Sequence, residues 1–266
     1  MCTKMKVVLG VGALVSMLGV FMSPAHATAV AVADPSFEEN VVAPGATLAP
    51  SNWGGIWSGM APGEWLAWDS NAVVWRPTSA NFPSIATTGS LPSSADGQQC
   101  LTNIGQLDSG VGQLFDGLIQ PHETITLTVA VGMPLGLPYN SGTVFAFAYQ
   151  DPTDPTGMTG GEIFEQDGPN HDPTLVPGTF IDFSVSMNTD DYIVPGAQPG
   201  DTDEYGNPLL AAGDNLLAVI DVGPGMCVDN VRVSVVSNVV PEPSTLVLMA
   251  AGLLGVLGYA FAKRRR

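Results

Sequence analysis

The sequence predicts an all-β protein, a jelly-roll β-sandwich, and three observations carry that expectation. Five segments alternate apolar or β-branched residues with small or polar ones: 124–131 (Thr-Ile-Thr-Leu-Thr-Val-Ala-Val), 143–149, 180–187, 216–222 and 227–236. A repeat of two puts one set of side chains on each face of a strand, and β-branched residues suit a pleated, half-buried surface. Between them lie stretches dense in Gly, Pro, Asp and Asn, at 134–142, 151–161, 166–177 and 195–207. Such residues supply the special backbone angles and local hydrogen bonds of turns. Finally, no long segment between the two ends of the chain keeps a 3.6-residue apolar repeat, so long helices are not expected there. Short strands separated by long Gly/Pro loops indicate two packed sheets, and no internal repeat is visible.

The elements follow in chain order. Residues 1–27 read as a secretory signal peptide: Lys4 and Lys6 without an acid, an apolar run at 7–22, and Ala25-His26-Ala27 offering small residues at a cleavage site after Ala27. His26 belongs to that cleavage motif and gets no chemical role. Residues 28–236 are the β-sandwich, one domain of ordinary size. Residues 237–245 are a linker containing Pro241, Glu242 and Pro243. An apolar run at 246–262 is long enough to span a thin hydrocarbon core as a helix, and Lys263-Arg264-Arg265-Arg266 would hold its end on the cytoplasmic side.

Pro-Glu-Pro, one apolar helix and an Arg-rich end, in that order, closely resemble the PEP-CTERM sorting signal. The resemblance implies an exported protein of a Gram-negative-type bacterium, carried by its C-terminal helix in the inner membrane for a time. An exosortase would then act near Pro241-Glu242-Pro243 and pass the protein to the cell surface or extracellular matrix. Signal peptidase and exosortase are the processing partners this implies.

Removing both addresses sharpens the charge. Eight basic residues fall to two, Arg76 and Arg232, while 25 acidic ones fall only to 24, leaving a net charge of −22 where the full chain has −17. A surface this acidic repels phosphate backbones, which excludes nucleic acid as a partner. It serves either to keep an exported protein dispersed or to bind Ca²⁺, a hard cation that prefers oxygen ligands. With Cys2 in the signal peptide, Cys100 and Cys227 are the two remaining cysteines, an even number in an oxidising compartment, and a disulfide between them is expected. The alternative is two separately buried thiols. Neither lies in a CxxC, and no His has the spacing of a zinc site.

The sandwich region opens with Asp34-Pro35-Ser36-Phe37-Glu38 and closes with Asp229-Asn230-Val231. Between them come Val74-Trp75-Arg76-Pro77, Leu91-Pro92, Asp96-Gly97-Gln98 and Gln113-Leu114-Phe115. Together these resemble the galactose-binding-like jelly roll of carbohydrate-binding modules, in the variant of the hapalindole-type (Stig) cyclases, which also occurs in PEP-CTERM proteins. The resemblance implies that first and last strands lie together beside a structural Ca²⁺, whose oxygens would come from Glu38 and Asp229 and nearby carbonyls. It departs from the commonest opening in having Asp34 where Asn is usual. It also implies a catalytic option: a carboxyl in an apolar pocket, its pKa raised by desolvation, acting as a general acid.

Other constellations are weaker. All five tryptophans fall between Trp53 and Trp75, in the company of acids. Flat aromatic faces pack on sugar rings while carboxylates accept hydroxyl hydrogens, so Trp65, Trp68, Asp69 and Trp75 are candidate glycan-binding residues; packing under a loop is the competing expectation. The run Asp201-Thr202-Asp203-Glu204-Tyr205-Gly206-Asn207 has the glycine of a Ca²⁺ loop but Ala212 where the bidentate Glu is needed, so it reads as a solvated acidic turn. No nucleophile elbow marks an enzyme, and no carboxylate pair stands out as catalytic. The expected function is binding of glycans or extracellular polysaccharide by a Ca²⁺-stabilised surface protein. A small-molecule cyclase or isomerase and a non-binding structural matrix protein are the alternatives.

Overall fold

The computed structural model describes residues 27–33, 35–39, 41–49, 65–67, 71–92, 94–105, 109–137, 143–150, 160–168, 175–238, 252–257 and 263–264. Two antiparallel sheets face each other. The larger contains β10 (Thr179–Asn188), β7 (Glu123–Met133), β12 (Cys227–Ser237), β5 (Cys100–Asn103), β4 (Ala72–Trp75) and β2 (Thr47–Leu48) in that order, with β1 (Ala27–Val30) also paired to β12. The smaller runs β3 (Trp65–Ala67), β6 (Ser109–Phe115), β11 (Asn215–Val222), β8 (Val144–Gln150) and β9 (Gly160–Asp167). The fold is an all-β jelly-roll sandwich.

Period-two patterning sets which face goes inward. In β7, Ile125, Leu127, Val129 and Val131 are buried, and in β11 so are Leu216, Ala218, Ile220 and Val222; with Phe145 and Phe147 of β8 they form the main core. Each of the larger of these side chains contributes about 1.5–3 kcal/mol by leaving water. The ten-residue register of β7 with β10 leaves the other face to hydroxyls, where Thr126 meets Ser186 at 2.8 Å and Thr128 meets Ser184 at 2.7 Å. A slip of one residue would exchange the two faces.

The outer face of the larger sheet is not bare along its whole length. A second cluster of Trp75, Phe82, Leu91, Cys100, Ala130, Phe180 and Cys227 lies there, joined by Ile85 from the four-residue helix α1 (Ile85–Thr88). The covering segment between β4 and β5 therefore buries part of a face that patterning alone assigns to solvent.

All five expected strands form; four are extended by one or two residues at an end, and β8 is shifted by one, running from Val144 to Gln150. The turn-rich stretches at 151–161 and 166–177 were not expected to supply strand residues, yet β9 takes Gly160, Gly161, Gln166 and Asp167 into its ladder with β8. As an edge strand with a bulge opposite Phe147 and Ala148, β9 tolerates glycines and acids that a central strand would not. The expected neighbourhood of the first and last strands is present: Ala27 to Val30 pair with Val236 to Val233. Residues 252–257 are helical, but no helix among the described residues is long and apolar enough to cross a membrane. The signal peptide through residue 26, the Pro241-Glu242-Pro243 motif and most of the run at 246–262 lie outside the described residues.

Candidate functional site

Three sequence motifs far apart in the chain meet at one corner of the larger sheet. The backbone amide of Val231 donates to the carbonyl of Pro35 at 2.8 Å, tying the closing motif to the opening one. Asp96 joins both: its amide donates to Asp229 Oδ2 at 2.7 Å, and Ser36 Oγ donates to its carboxylate at 3.4 Å. Asn230 Nδ2 reaches the carbonyl of Ser94 at 3.1 Å. Glu38 Oε1 accepts from the amides of Gln98 at 2.5 Å and Gln99 at 2.6 Å. Gln99 is itself buried, accepting from the Val42 amide and donating to the Phe37 carbonyl at 2.8 Å.

The local backbone explains why these residue types stand here. Phe37 and Asn230 adopt positive φ values of 54° and 47°, which turn the chain sharply at both motifs. Asn230 sits within a bulge in the β12–β7 register between Asp229 and Arg232, so Asp229 and Arg232 both stay on the outer face while Val228 and Val231 point into the core. Gly97 has a φ of 71°, and a Cβ there would lie 2.2 Å from Glu38 Oε1. The glycine is what lets the 96–99 loop fold over the glutamate.

The electrostatics single out Asp229. Its side chain is fully buried, and its Oδ1 makes no hydrogen bond. Burial pushes its carboxyl up to about 9; the amides of Asp96 and Asn230 pull the other way, and the charges of Glu38 and Asp96 add to the rise. Without a counter-ion Asp229 is therefore protonated at neutral pH. The acidic corner is also where the expected ligands Glu38 and Asp229 come together, with Asp96 as a third carboxylate that the sequence did not single out as a ligand. Its signal was present in the Asp96-Gly97-Gln98 motif, but only the fold shows the motif lying over Asp229.

These residues fit a hard cation through one specific observation, the buried carboxyl oxygen of Asp229 left without a partner. Among the described residues no three His, Cys, Asp or Glu side chains form a group able to hold a metal by themselves. A bound cation would need backbone carbonyls beside Asp229 and Glu38, as Ca²⁺ with its six to eight oxygens commonly does.

Cys100 and Cys227 are buried against the same outer face, side by side as thiols. Cys227 is registered opposite Thr102 and Val228 opposite Leu101, so Cys100 lies on the diagonal from Cys227 and next to Asp229 across the ladder. Burial pushes the Cys100 thiol well up, with contact from Cys227 and the charges of Asp229 and Glu38 acting in the same direction.

The aromatic expectation needs correcting at two positions. Trp65 is buried, its ring 5.4 Å from that of Phe37 and its indole N–H donating to the Ala33 carbonyl at 2.6 Å. It faces inward because β3 registers it opposite the buried Gln113 of β6. Trp75 is buried in the second cluster, beneath the covering segment. Neither offers a face to a sugar. Trp68 and Asp69 lie outside the described residues. The run 201–207 is an exposed turn, as expected: Asp203 accepts from the amides of Tyr205 and Asn207, each at 2.8 Å, and from Asn207 Nδ2 at 2.9 Å.

Comparison with protein-family models matches residues 28–198 to the HpiC1-like family, described as HpiC1 cyclase, and residues 239–266 to the PEP-CTERM protein-sorting motif. No curated protein matches the chain. Among solved structures, the chain is similar to the CBM22-1 xylan-binding domain of Paenibacillus barcinonensis Xyn10C, with 9% identity, a TM-score of 0.34, and coverage of 79% of this chain and 100% of that one. The C-terminal family 22 carbohydrate-binding module of Clostridium thermocellum Xyn10B gives 14% identity and a TM-score of 0.34, covering 68% and 91%. The CBM22-1–GH10 modules of the same xylanase, complexed with xylohexaose, give 12% and 0.35, covering 67% of this chain; the chain spans 27% of that longer one. At these scores the likenesses are distant, and the fold rests on the sheet registers above.

Proposed function

The chain belongs to the HpiC1-like family and carries a PEP-CTERM sorting motif at 239–266, and on that premise we propose an exported surface or matrix protein whose jelly roll binds polysaccharide and is stabilised by Ca²⁺. The motif supports export and sorting. The finer reading is that a C-terminal helix at 246–262 holds the precursor in the membrane until exosortase acts at Pro241-Glu242-Pro243. The −22 charge of the segment between the two addresses suits a hydrated, Ca²⁺-rich exterior.

The observation that carries the Ca²⁺ part is the unpartnered buried oxygen of Asp229 beside Glu38. Bound there, Ca²⁺ would supply positive charge that replaces the proton on Asp229. The chain's own residues do the rest: Gln98 and Gln99 amides orient Glu38, the Asp96 amide orients Asp229, and the 94–98 loop keeps water out.

Support for polysaccharide binding comes from the outer face of the smaller sheet. The register places Leu217, Val219, Ala146 and Ala148 on that face, with exposed Glu162, Glu165 and Asp167 of edge strand β9 along its side. This strip is apolar, and the carboxylates along its edge can accept hydrogen bonds from sugar hydroxyls. Trp68 and Asp69 remain candidates for the same task. A glycan array probed with the exported protein, with and without EDTA, tests the proposal. Selective binding weakened by Glu162→Gln with Glu165→Gln supports it; no binding to any polysaccharide in either buffer counts against it and leaves a structural matrix role.

Family membership favours a second reading, small-molecule cyclisation, with Asp229 as the protonated acid. A general acid must touch its substrate. The nearby cleft of about 190 Å³ is lined by Arg76, Pro77, Thr78 and Gln98 and does not include Asp229, which lies beneath the loop. That geometry favours the cation over the acid. Conversion of a prenylated indole that is lost in Asp229→Asn would reverse the preference.

A further inference from the structure

We infer that the exported protein carries a disulfide between Cys100 and Cys227, and that the bond forms before the segment between β4 and β5 closes over it. Both sulfurs lie on the outer face of the larger sheet, on adjacent strands β5 and β12, one residue pair apart along the diagonal. They are in side-chain contact, each fully buried. Diagonal neighbours on a sheet face lie farther apart than directly opposite ones, so the bond draws β5 and β12 together at this end of the ladder.

The sequence leaves the pairing open because it does not fix the register of β5 against β12. The structure closes that gap and adds an order of events. Trp75, Phe82, Leu91 and Phe180 pack around the two thiols, with Ile85 of α1 and Ala95 against them. A dithiol so enclosed presents no approach path to an oxidant. Oxidation therefore belongs to the period when β5 and β12 have paired but the cover is still open.

The step balances with a protein disulfide of the export compartment as oxidant. The Cys100 thiolate attacks one sulfur of that disulfide and releases the other as a thiolate. The Cys227 thiolate then attacks the Cys100 sulfur of the mixed disulfide, releasing the carrier as a dithiol with two electrons and two protons. The product joins β5 to β12 next to Asp229, so it also fixes the strand carrying the acidic corner.

The test uses the full chain, made once with export and once retained in a reducing cytoplasm. Exported protein, denatured without reductant and treated with iodoacetamide, is expected to show no alkylation at Cys100 or Cys227 by mass, and one addition at each after reduction. Alkylation of both before reduction overturns the bond. Protein retained in the cytoplasm, once folded, is expected to be oxidised by glutathione disulfide at least tenfold more slowly than the same protein in denaturant. Equal rates overturn the proposed order. A Cys100→Ser, Cys227→Ser variant, which cannot bond, is expected to lose the reductant-dependent fall in thermal midpoint shown by the exported protein; an equal fall in the variant assigns the effect elsewhere and contradicts the staple.

Discussion

The corner at Glu38, Asp96 and Asp229 and the turn at 201–207 are both dense in carboxylates, yet the structure gives them opposite characters. In the turn, Asp203 is only partly buried and surrounded by donors, and the side chain and amide of Asn207 hold its carboxyl below the ordinary range. At the corner, Asp229 is sealed, one of its oxygens has no donor, and burial holds its carboxyl far above that range. The turn has already satisfied its charge with its own backbone. The corner has a negative charge to neutralise, and a proton or a cation can do it. What distinguishes the two is the supply of donors and water, which acid density alone does not reveal.

The comparison is broken most severely by removing what seals the corner. Phe37 of the opening motif packs on Trp65. Trp65→Ala is expected to cost about 3–5 kcal/mol, the range for deleting a large buried aromatic, as read from urea unfolding. A loss of sugar binding at unchanged stability would instead return Trp65 to the surface role the sequence suggested.

Next in size is the close approach of the 96–99 loop to Glu38. Gly97→Ala places a Cβ on the Glu38 carboxylate in a backbone region that suits glycine, and is expected to cost about 2–3 kcal/mol. Glu38→Gln weakens two charge-assisted hydrogen bonds and is expected to cost about 1–2 kcal/mol.

The pH dependence sharpens the contrast further. Asp229 has a folded pKa of about 9 against 3.8 for an unperturbed carboxyl, so the folded state holds the extra proton between those values. Its contribution is fully present below about 4 and is lost as pH rises toward 9. In EDTA, thermal midpoints are expected to fall across that interval in the wild type and to fall less in Asp229→Asn, which keeps the shape without the titrating group. Asp203 carries the opposite sign: its lowered pKa gives a contribution present at neutral pH and lost on acidification. Asp203→Ala is expected to have the smallest effect of the series, a slight fall in midpoint at neutral pH that disappears in acid, with the response to Ca²⁺ unchanged.

Much of the fold was legible because β7, β10 and β12 are long, alternate cleanly and need only the period-two rule. The corner was partly legible because its motifs are short but ordered along the chain, and Glu38 and Asp229 were both marked. Asp96 was not, since its importance depends on an amide that meets Asp229 across the fold. The tryptophans misled for a related reason. Their crowding between Trp53 and Trp75 says that a region is aromatic, whereas the inward face of β3 and the cover over β4 decide that Trp65 and Trp75 are core. The covering segment was the least legible part, because its apolar residues, Phe82, Ile85 and Leu91, are scattered through turns with no period to read.

The central claim is that the corner around buried Asp229 takes up Ca²⁺ and the turn does not. Thermal unfolding of the exported protein at pH 7.5, with Ca²⁺ titrated into an EDTA-stripped sample, tests it most directly, because a ligand that binds only the folded state raises the midpoint with its concentration. The account predicts a rising midpoint in the wild type and in Asp203→Ala, and a flat one in Asp229→Asn. A midpoint in the wild type that ignores Ca²⁺ and EDTA alike, or a rise that survives in Asp229→Asn, would contradict it.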